Sequence, residues 1–257
     1  MHGKQTYKQI SRKTGKSTRS VQRIIDRHLP EYEANSPQKV FLVIDAVYFK
    51  KKNGILVFRV PNIQKNVWWT EIEKERVSEY EIGLLELLME GFTIKGITVD
   101  GKPGVLEKIE SMGILVQMCH FHQIQIVLRY ITRRPRTPAS KELKEIIHLL
   151  PHTDKESFEH WVAQWYTKWK TFLDEKTFYR DEYNRKKWHY THKRLRQAYR
   201  SIQKHLPYLF TYHQHRGMPN TTNSLEGTFA HIKDKIRFHR GLRWDRKMKV
   251  IAELLGP

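Results

Sequence analysis

The chain has 257 residues, enough to bury a sizeable core and carry a small appended module. Its 47 lysines and arginines against 27 aspartates and glutamates give a formal net charge of +20, which points to a polyanion, most often nucleic acid, bound in a salt-dependent way. Seven Trp, twelve Tyr and eleven Phe exclude a disordered basic tail, and a single cysteine excludes an internal disulfide framework and fits a reducing cytoplasm. No apolar run approaches the roughly 18 residues of a membrane span, and the first residues lack a signal-peptide core.

In chain order, residues 5–29 read as a helix-turn-helix. Gly15 can end a first helix by adopting a positive φ, and Ser17 or Thr18 can cap the second. Ile10, Val21, Ile24, Ile25 and Leu29 form its expected core, leaving Arg19, Gln22 and Arg23 to face a major groove. The alternative is a generic helical hairpin with a solvated basic face. Pro30 stops the second helix, and 31–38 reads as a linker, so 1–36 forms a first module.

Residues 40–44, 54–60 and 66–70 are strand candidates, and Asn53-Gly54 makes the first two an antiparallel hairpin. An amphipathic helix over 75–89 follows, with Tyr80, Leu84, Leu87 and Leu88 on one face. A strand over 94–99, a helix over 104–112 and a strand over 114–118 complete the block. Strand, strand, strand, helix, strand, helix, strand is the order of an RNase H-like core. The pattern predicts an α/β fold: a mixed five-stranded sheet flanked by helices, its first part at 37–122 and its last at 216–257. Between them, 123–215 reads as an all-α insertion rich in aromatic and basic residues. Trp161, Trp165 and Trp169 recur every four residues and share a helix face, which suits packing better than base stacking. A basic helix over 185–200 would carry His189 and His192.

Three carboxylates stand out. Asp45 and Asp100 each close a short apolar run, as if a buried strand delivered a charge to the sheet's edge. Glu226 lies just before a helical stretch. Two strand-end aspartates and a helix-borne glutamate can hold two divalent ions for in-line phosphoryl chemistry, with Mg²⁺ suited to the oxygen ligands and Mn²⁺ a substitute. Asn223 lies three residues before Glu226; it either shares a helix face with the glutamate or caps that helix. Lys233, Arg237 and Arg240 follow on the same segment, as a solvated face or as contacts to a DNA backbone. Cys119 and His122, with His189 and His192, invite a zinc reading; a buried cysteine and a histidine facing the acidic centre fit better.

The strings Ile44-Asp45-Ala46-Val47-Tyr48-Phe49, Val99-Asp100-Gly101, Gln117-Met118-Cys119-His120-Phe121-His122-Gln123 and Thr222-Asn223-Ser224-Leu225-Glu226-Gly227 occur in this order, ahead of a tail running from Lys233 to Leu242. With them the chain resembles bacterial insertion-sequence transposases of the Mutator-like group, DDE enzymes with an RNase H-like catalytic domain. The resemblance implies that Asp45, Asp100 and Glu226 are the catalytic, metal-binding triad, and that Cys119 and His122 are the family's C-x-x-H signature. It implies cleavage and strand transfer at terminal inverted repeats and target DNA, by a homodimer or larger assembly on DNA at the bacterial nucleoid. The alternative is a silent remnant or repurposed transposase that binds DNA without cutting it. Such proteins often begin with a zinc ribbon of paired Cys-x-x-Cys motifs, which one cysteine cannot make. The chain thus reads as either a truncated or remnant reading frame or a naturally short member, a departure that bears on recognition of DNA ends rather than on chemistry.

Overall fold

The computed structural model describes residues 5–28, 36–50, 52–238 and 241–256. The elements run α1 (Tyr7–Thr14), α2 (Thr18–Arg27), β1 (Lys39–Lys50), β2 (Asn53–Val60), β3 (Lys65–Ile72), α3 (Val77–Met89), β4 (Thr93–Val99), α4 (Val105–Ser111) and β5 (Leu115–Met118). There follow α5 (His120–Ile131), α6 (Pro138–Leu149), α7 (Lys155–Asp174), β6 (Lys176–Arg180), β7 (Lys186–Tyr190), α8 (Lys193–Leu209), α9 (Asn223–Phe238) and α10 (Trp244–Leu255). The architecture is α/β: a mixed five-stranded sheet in the order β3-β2-β1-β4-β5, flanked by helices. The chain divides into two compact units, Met1–Ile94 with Asn223–Pro257, and Lys95–Thr222.

In the first unit, the Asn53-Gly54 turn joins β1 to β2 antiparallel, with Asp45 opposite Val57, and β2 pairs antiparallel with β3. Side chains alternate across a strand, so Val43, Asp45 and Val47 share one face of β1 while Leu42 and Ile44 share the other. The Val43 face packs with Ile55 and Val57 against Leu225, Phe229, Ile232 and Ile236 of α9 and Val250, Ile251 and Leu255 of α10. Those α9 positions are spaced by four, three and four residues, which makes a single apolar stripe. The chain end is pinned to β3 by hydrogen bonds from Asn66 Nδ2 to the Leu255 carbonyl (2.6 Å) and from Trp69 Nε1 to the Gly256 carbonyl (2.9 Å).

The other face belongs to α3, where Gly83 lies so close to β2 and β3 that a Cβ would meet the rings of Phe58 and Trp68 at 2.8 Å. No side chain fits there without displacing two packed aromatics.

At the N-terminus, the Thr6 hydroxyl accepts from the Gln9 amide and Gln9 reaches back to Thr6, a capping box that starts α1. Gly15, at φ 69°, ends α1, and the Ser17 side chain caps α2. The expected core of this pair is only partly assembled. Val21 is buried and Ile10 and Ile25 are half-buried, but Ile24 is 55% exposed, and Leu29 lies outside the described residues. Two helices this short have one shared interface; Val21 is buried, whereas Ile24, about 60° farther around the α2 axis, turns to solvent. The pair is instead tied to α10 by polar contacts that the sequence did not announce. Arg246 makes a bidentate pair with Asp26 (2.7 and 2.8 Å), Lys249 Nζ donates to the carbonyls of Asp26 and His28, and His28 meets Glu253 at 3.2 Å.

In the second unit, β4 and β5 run parallel, with Gly96 opposite Leu115 and Val99 opposite Met118, joined by α4. Trp165 is buried, and its Nε1 donates to the Ala139 carbonyl; Trp169 Nε1 donates to Glu142 Oε2 at 2.6 Å. This tryptophan stripe is taken up by packing of α7 on α6.

The region between β5 and α9 is not wholly helical, as the sequence reading expected. Residues 176–190 form an antiparallel hairpin, so the basic helix anticipated over 185–200 begins only at Lys193. Its turn is built by Asp181, whose Oδ1 accepts from the amides of Tyr183 and Arg185, and by Asn184 at φ 61°.

Replacing Gly83 with alanine tests the α3 contact. The added methyl should destabilise the chain by about 1–3 kcal/mol through overpacking, outweighing the roughly 1 kcal/mol of helix propensity it gains. Urea unfolding of the two proteins reads the difference.

Candidate functional site

Asp45 does not end its strand, as its apolar run suggested: pairing with β2 continues through Ala46, Val47 and Tyr48, so Asp45 sits in the middle of β1, half-buried on the face that α9 and α10 cover. Its Oδ1 accepts the Ala46 amide at 2.8 Å. A carboxylate in an otherwise apolar row is costly to desolvate, and this contact satisfies one of its oxygens. Glu226 belongs to the same unit, in the first turn of α9, next to the buried Leu225 and itself exposed. The favourable helix N-terminal dipole suits a carboxylate there.

Lys233 and Arg237 stand seven and eleven residues beyond Glu226. At 3.6 residues per turn, all three fall on one stripe of α9, and all three are exposed. Asn223 is the first residue of α9, exposed, about 60° around the axis from Glu226. Arg240 lies outside the described residues. Arg19 and Arg23 are exposed on α2, and Gln22 is half-buried between them.

Asp100 belongs to the second unit, immediately after β4 and half-buried, with Oδ1 accepting the Lys102 amide at 3.3 Å. Cys119 is fully buried at the start of α5. Its sulfur accepts the Thr222 amide at 3.3 Å and meets the Thr222 hydroxyl at 3.5 Å. His120 N donates to the Asn220 carbonyl (2.9 Å) and Thr98 Oγ1 to the Pro219 carbonyl. Three residues, from β4 and the start of α5, therefore fasten the stretch 219–222. His122 is half-buried in the first turn of α5, edge-on to the Phe121 ring.

The histidines at 189 and 192 are engaged elsewhere. His189 is on β7 opposite Thr177, and His192 stacks on Phe172 and meets Glu175 Oε2 at 2.9 Å. Among the described residues, no group of three or more His, Cys, Asp or Glu side chains is placed to hold a metal ion. Nor is any helix of the described residues long and apolar enough to cross a membrane.

A buried polar network beside Cys119 was not read from the sequence. Gln117 donates to the Leu209 carbonyl (2.8 Å) and accepts the Tyr212 amide (3.0 Å), and His120 Nε2 donates to the same Leu209 carbonyl (2.6 Å). His205 Nδ1 donates to Gln123 Oε1 at 2.7 Å. The partners lie 82 to 95 residues apart, so only the polar residues inside apolar runs, Gln117 and His120 above all, hinted at it. Burial pushes His120 down to about 4, and burial with the nearby Lys204 charge does the same to His205.

No family model and no curated protein matches the chain. A solved structure that does align is the large terminase nuclease from thermophilic phage G20c, at 10% identity over 68% of this chain and 92% of that one, with a TM-score of 0.22. So loose an alignment carries no argument about fold or activity.

The two buried histidines set a pH dependence. Unfolded, each takes up a proton near pH 6.5; folded, each stays neutral down to about 4. The unfolded chain therefore binds more protons throughout that window, and stability is full above pH 6.5 and falls as pH drops toward 4. The loss is at most about 3 kcal/mol per histidine. Urea unfolding at stepped pH should show the fall, with a shallower slope for His205→Gln.

Proposed function

We propose that the chain is a metal-dependent DNA-cutting and DNA-joining enzyme with an RNase H-like core, a DDE transposase acting at the ends of an insertion sequence. Asp45, Asp100 and Glu226 are its acidic set. The observation that carries this reading lies in the first unit. The face of β1 that bears Asp45 is the face α9 covers, and α9 bears Glu226 at the head of an exposed stripe continued by Lys233 and Arg237. Carboxylates with cations trailing along one helix suit a site that takes a phosphodiester and grips the backbone beyond it. Asp100 joins the set by its place at a strand end and its Val-Asp-Gly string. The strand order β3-β2-β1-β4-β5, the first three antiparallel and the last pair parallel, supports the RNase H-like assignment.

Mg²⁺, or Mn²⁺ in its place, is the metal this reading implies. Mg²⁺ commonly relies on one or two carboxylates together with substrate phosphates, so the protein alone need not present a full ligand set. When bound, such ions activate the attacking oxygen and stabilise the leaving one. The chain's own part is to supply oxygen ligands from Asp45, Asp100 and Glu226 and to hold duplex DNA through Lys233 and Arg237. On this reading, α1 and α2 are a helix-turn-helix, with Arg19, Gln22 and Arg23 reading the element ends. Cys119 fixes the stretch before α9, and His122 and Asn223 are accessory. Assembly as a dimer or larger on paired DNA ends belongs to the same proposal.

A DNA-binding protein that does not cut is the second reading. It is favoured by the absence, among the described residues, of a gathered three-ligand group.

Cleavage of labelled element-end DNA in Mg²⁺ and in Mn²⁺ separates the two. Asp45→Asn, Asp100→Asn and Glu226→Gln should each abolish cutting and joining while gel-shift affinity and melting temperature hold or rise, because each removes one negative charge near phosphate. Substantial cleavage by any of the three removes that residue from the set. A wild-type protein that binds but never cuts establishes the second reading.

A further inference from the structure

The β6–β7 hairpin has no part in the site described above, and its composition is unusual for a surface ribbon. Every side chain of its two strands is exposed except Tyr190, which is half-buried. In register, Phe178 stands opposite Trp188, Lys176 opposite Tyr190 and Arg180 opposite Lys186. Alternation places those six on one face. Phe178 is 71% exposed and Trp188 48%, so an aromatic pair that would ordinarily be buried is left in water. Cations bracket it on the same face, with Lys176 Nζ 4.2 Å from the Trp188 ring centroid. Arg180 is oriented at the other end by the Asn184 carbonyl and Oδ1 (2.9 and 3.0 Å).

We propose that this face binds unpaired DNA, with bases stacking on Phe178 and Trp188 and the flanking phosphates neutralised by Lys176, Arg180 and Lys186. Rings sequence-tolerantly stacking bases and cations tracking the backbone are the two components of single-strand recognition. Intact duplex does not fit the rings, because its bases are already stacked and expose only their edges. A lipid surface fits poorly too. At the hairpin's tip Glu182 opposes an anionic surface, while Asp181 is already paired with Arg185. The inference deepens the proposed function, since cutting and joining strands leaves bases unpaired beside the break, and it rests on DNA being the substrate.

The test uses the full chain in EDTA, so that no strand is cut. Affinities are measured for a short labelled single strand, the matching duplex, the same duplex with an internal bubble, and anionic phospholipid vesicles. Phe178→Ala with Trp188→Ala should weaken binding to the single strand and to the bubble by roughly tenfold, as expected for a lost base stack, and leave the duplex within about twofold. The exchanged pair Phe178→Trp with Trp188→Phe should restore binding, and unchanged melting curves show that the variants fold. Equal losses on duplex and single strand, no loss on either, or a loss confined to vesicles each overturn the proposal. Because binding is read without metal, failure here leaves the role of Asp45, Asp100 and Glu226 untouched, and catalytic failure of that set leaves this result standing.

Discussion

A carboxylate on a strand face that a helix covers is the constraint on which the first unit turns. Removing charge from water is expensive unless hydrogen bonds or opposite charges compensate, and Asp45 occupies a row whose neighbours, Val43 and Val47, are packed apolar side chains. Any plain strand would place valine there. The cost is borne with help from the Ala46 amide, and α9 crosses this face with its one apolar stripe inward and Glu226 on its exposed flank. A fold that needed only stability would fill this row with hydrocarbon. An arrangement that keeps an acid here makes sense when the acid has something to bind.

The second unit contributes differently. Its interior is polar at one end of β5, where Gln117, His120 and His205 exchange hydrogen bonds with distant backbone and side chains, and where the Cys119 sulfur takes the Thr222 amide. Buried polar groups of this kind are tolerable only when their partners are in place, which makes the segments they hold unusually well specified. The C-x-x-H string therefore has a physical content on the cysteine side that requires no metal: a small sulfur acceptor in a space closed to solvent.

Much of the sheet was legible because its strands carry apolar runs near turn signals, and Asn53-Gly54 named the first hairpin outright, but β1 runs on through Asp45 to Lys50, well past its expected end at Ile44. Asp45 and Asp100 stood out as charges within or just after such runs, whereas Glu226 was singled out by its Thr-Asn-Ser-Leu-Glu-Gly string at the start of a helix. What escaped was long-range or two-faced. The docking of α2 on α10 depends on Asp26 and Arg246, 220 residues apart and indistinguishable in sequence from other surface charges. The β6–β7 hairpin gave no alternating pattern because neither of its faces is buried; its basic run and the three-residue spacing of His189 and His192 resembled a helix instead. Ile24 was assigned to a core because its spacing is right for α2, but a two-helix pair encloses only one row.

The most direct test of the acidic set uses Fe²⁺ in place of Mg²⁺ on the DNA-bound protein, with ascorbate and peroxide to generate hydroxyl radicals at the bound ion. Peptide-bond breaks map the ligands without any assay of DNA cleavage. The account predicts cuts clustered around Asp45, Asp100 and Glu226, suppressed by excess Mg²⁺. Breaks confined to other segments, such as the histidines near 189 and 192, or no Mg²⁺-sensitive breaks at all, would contradict it.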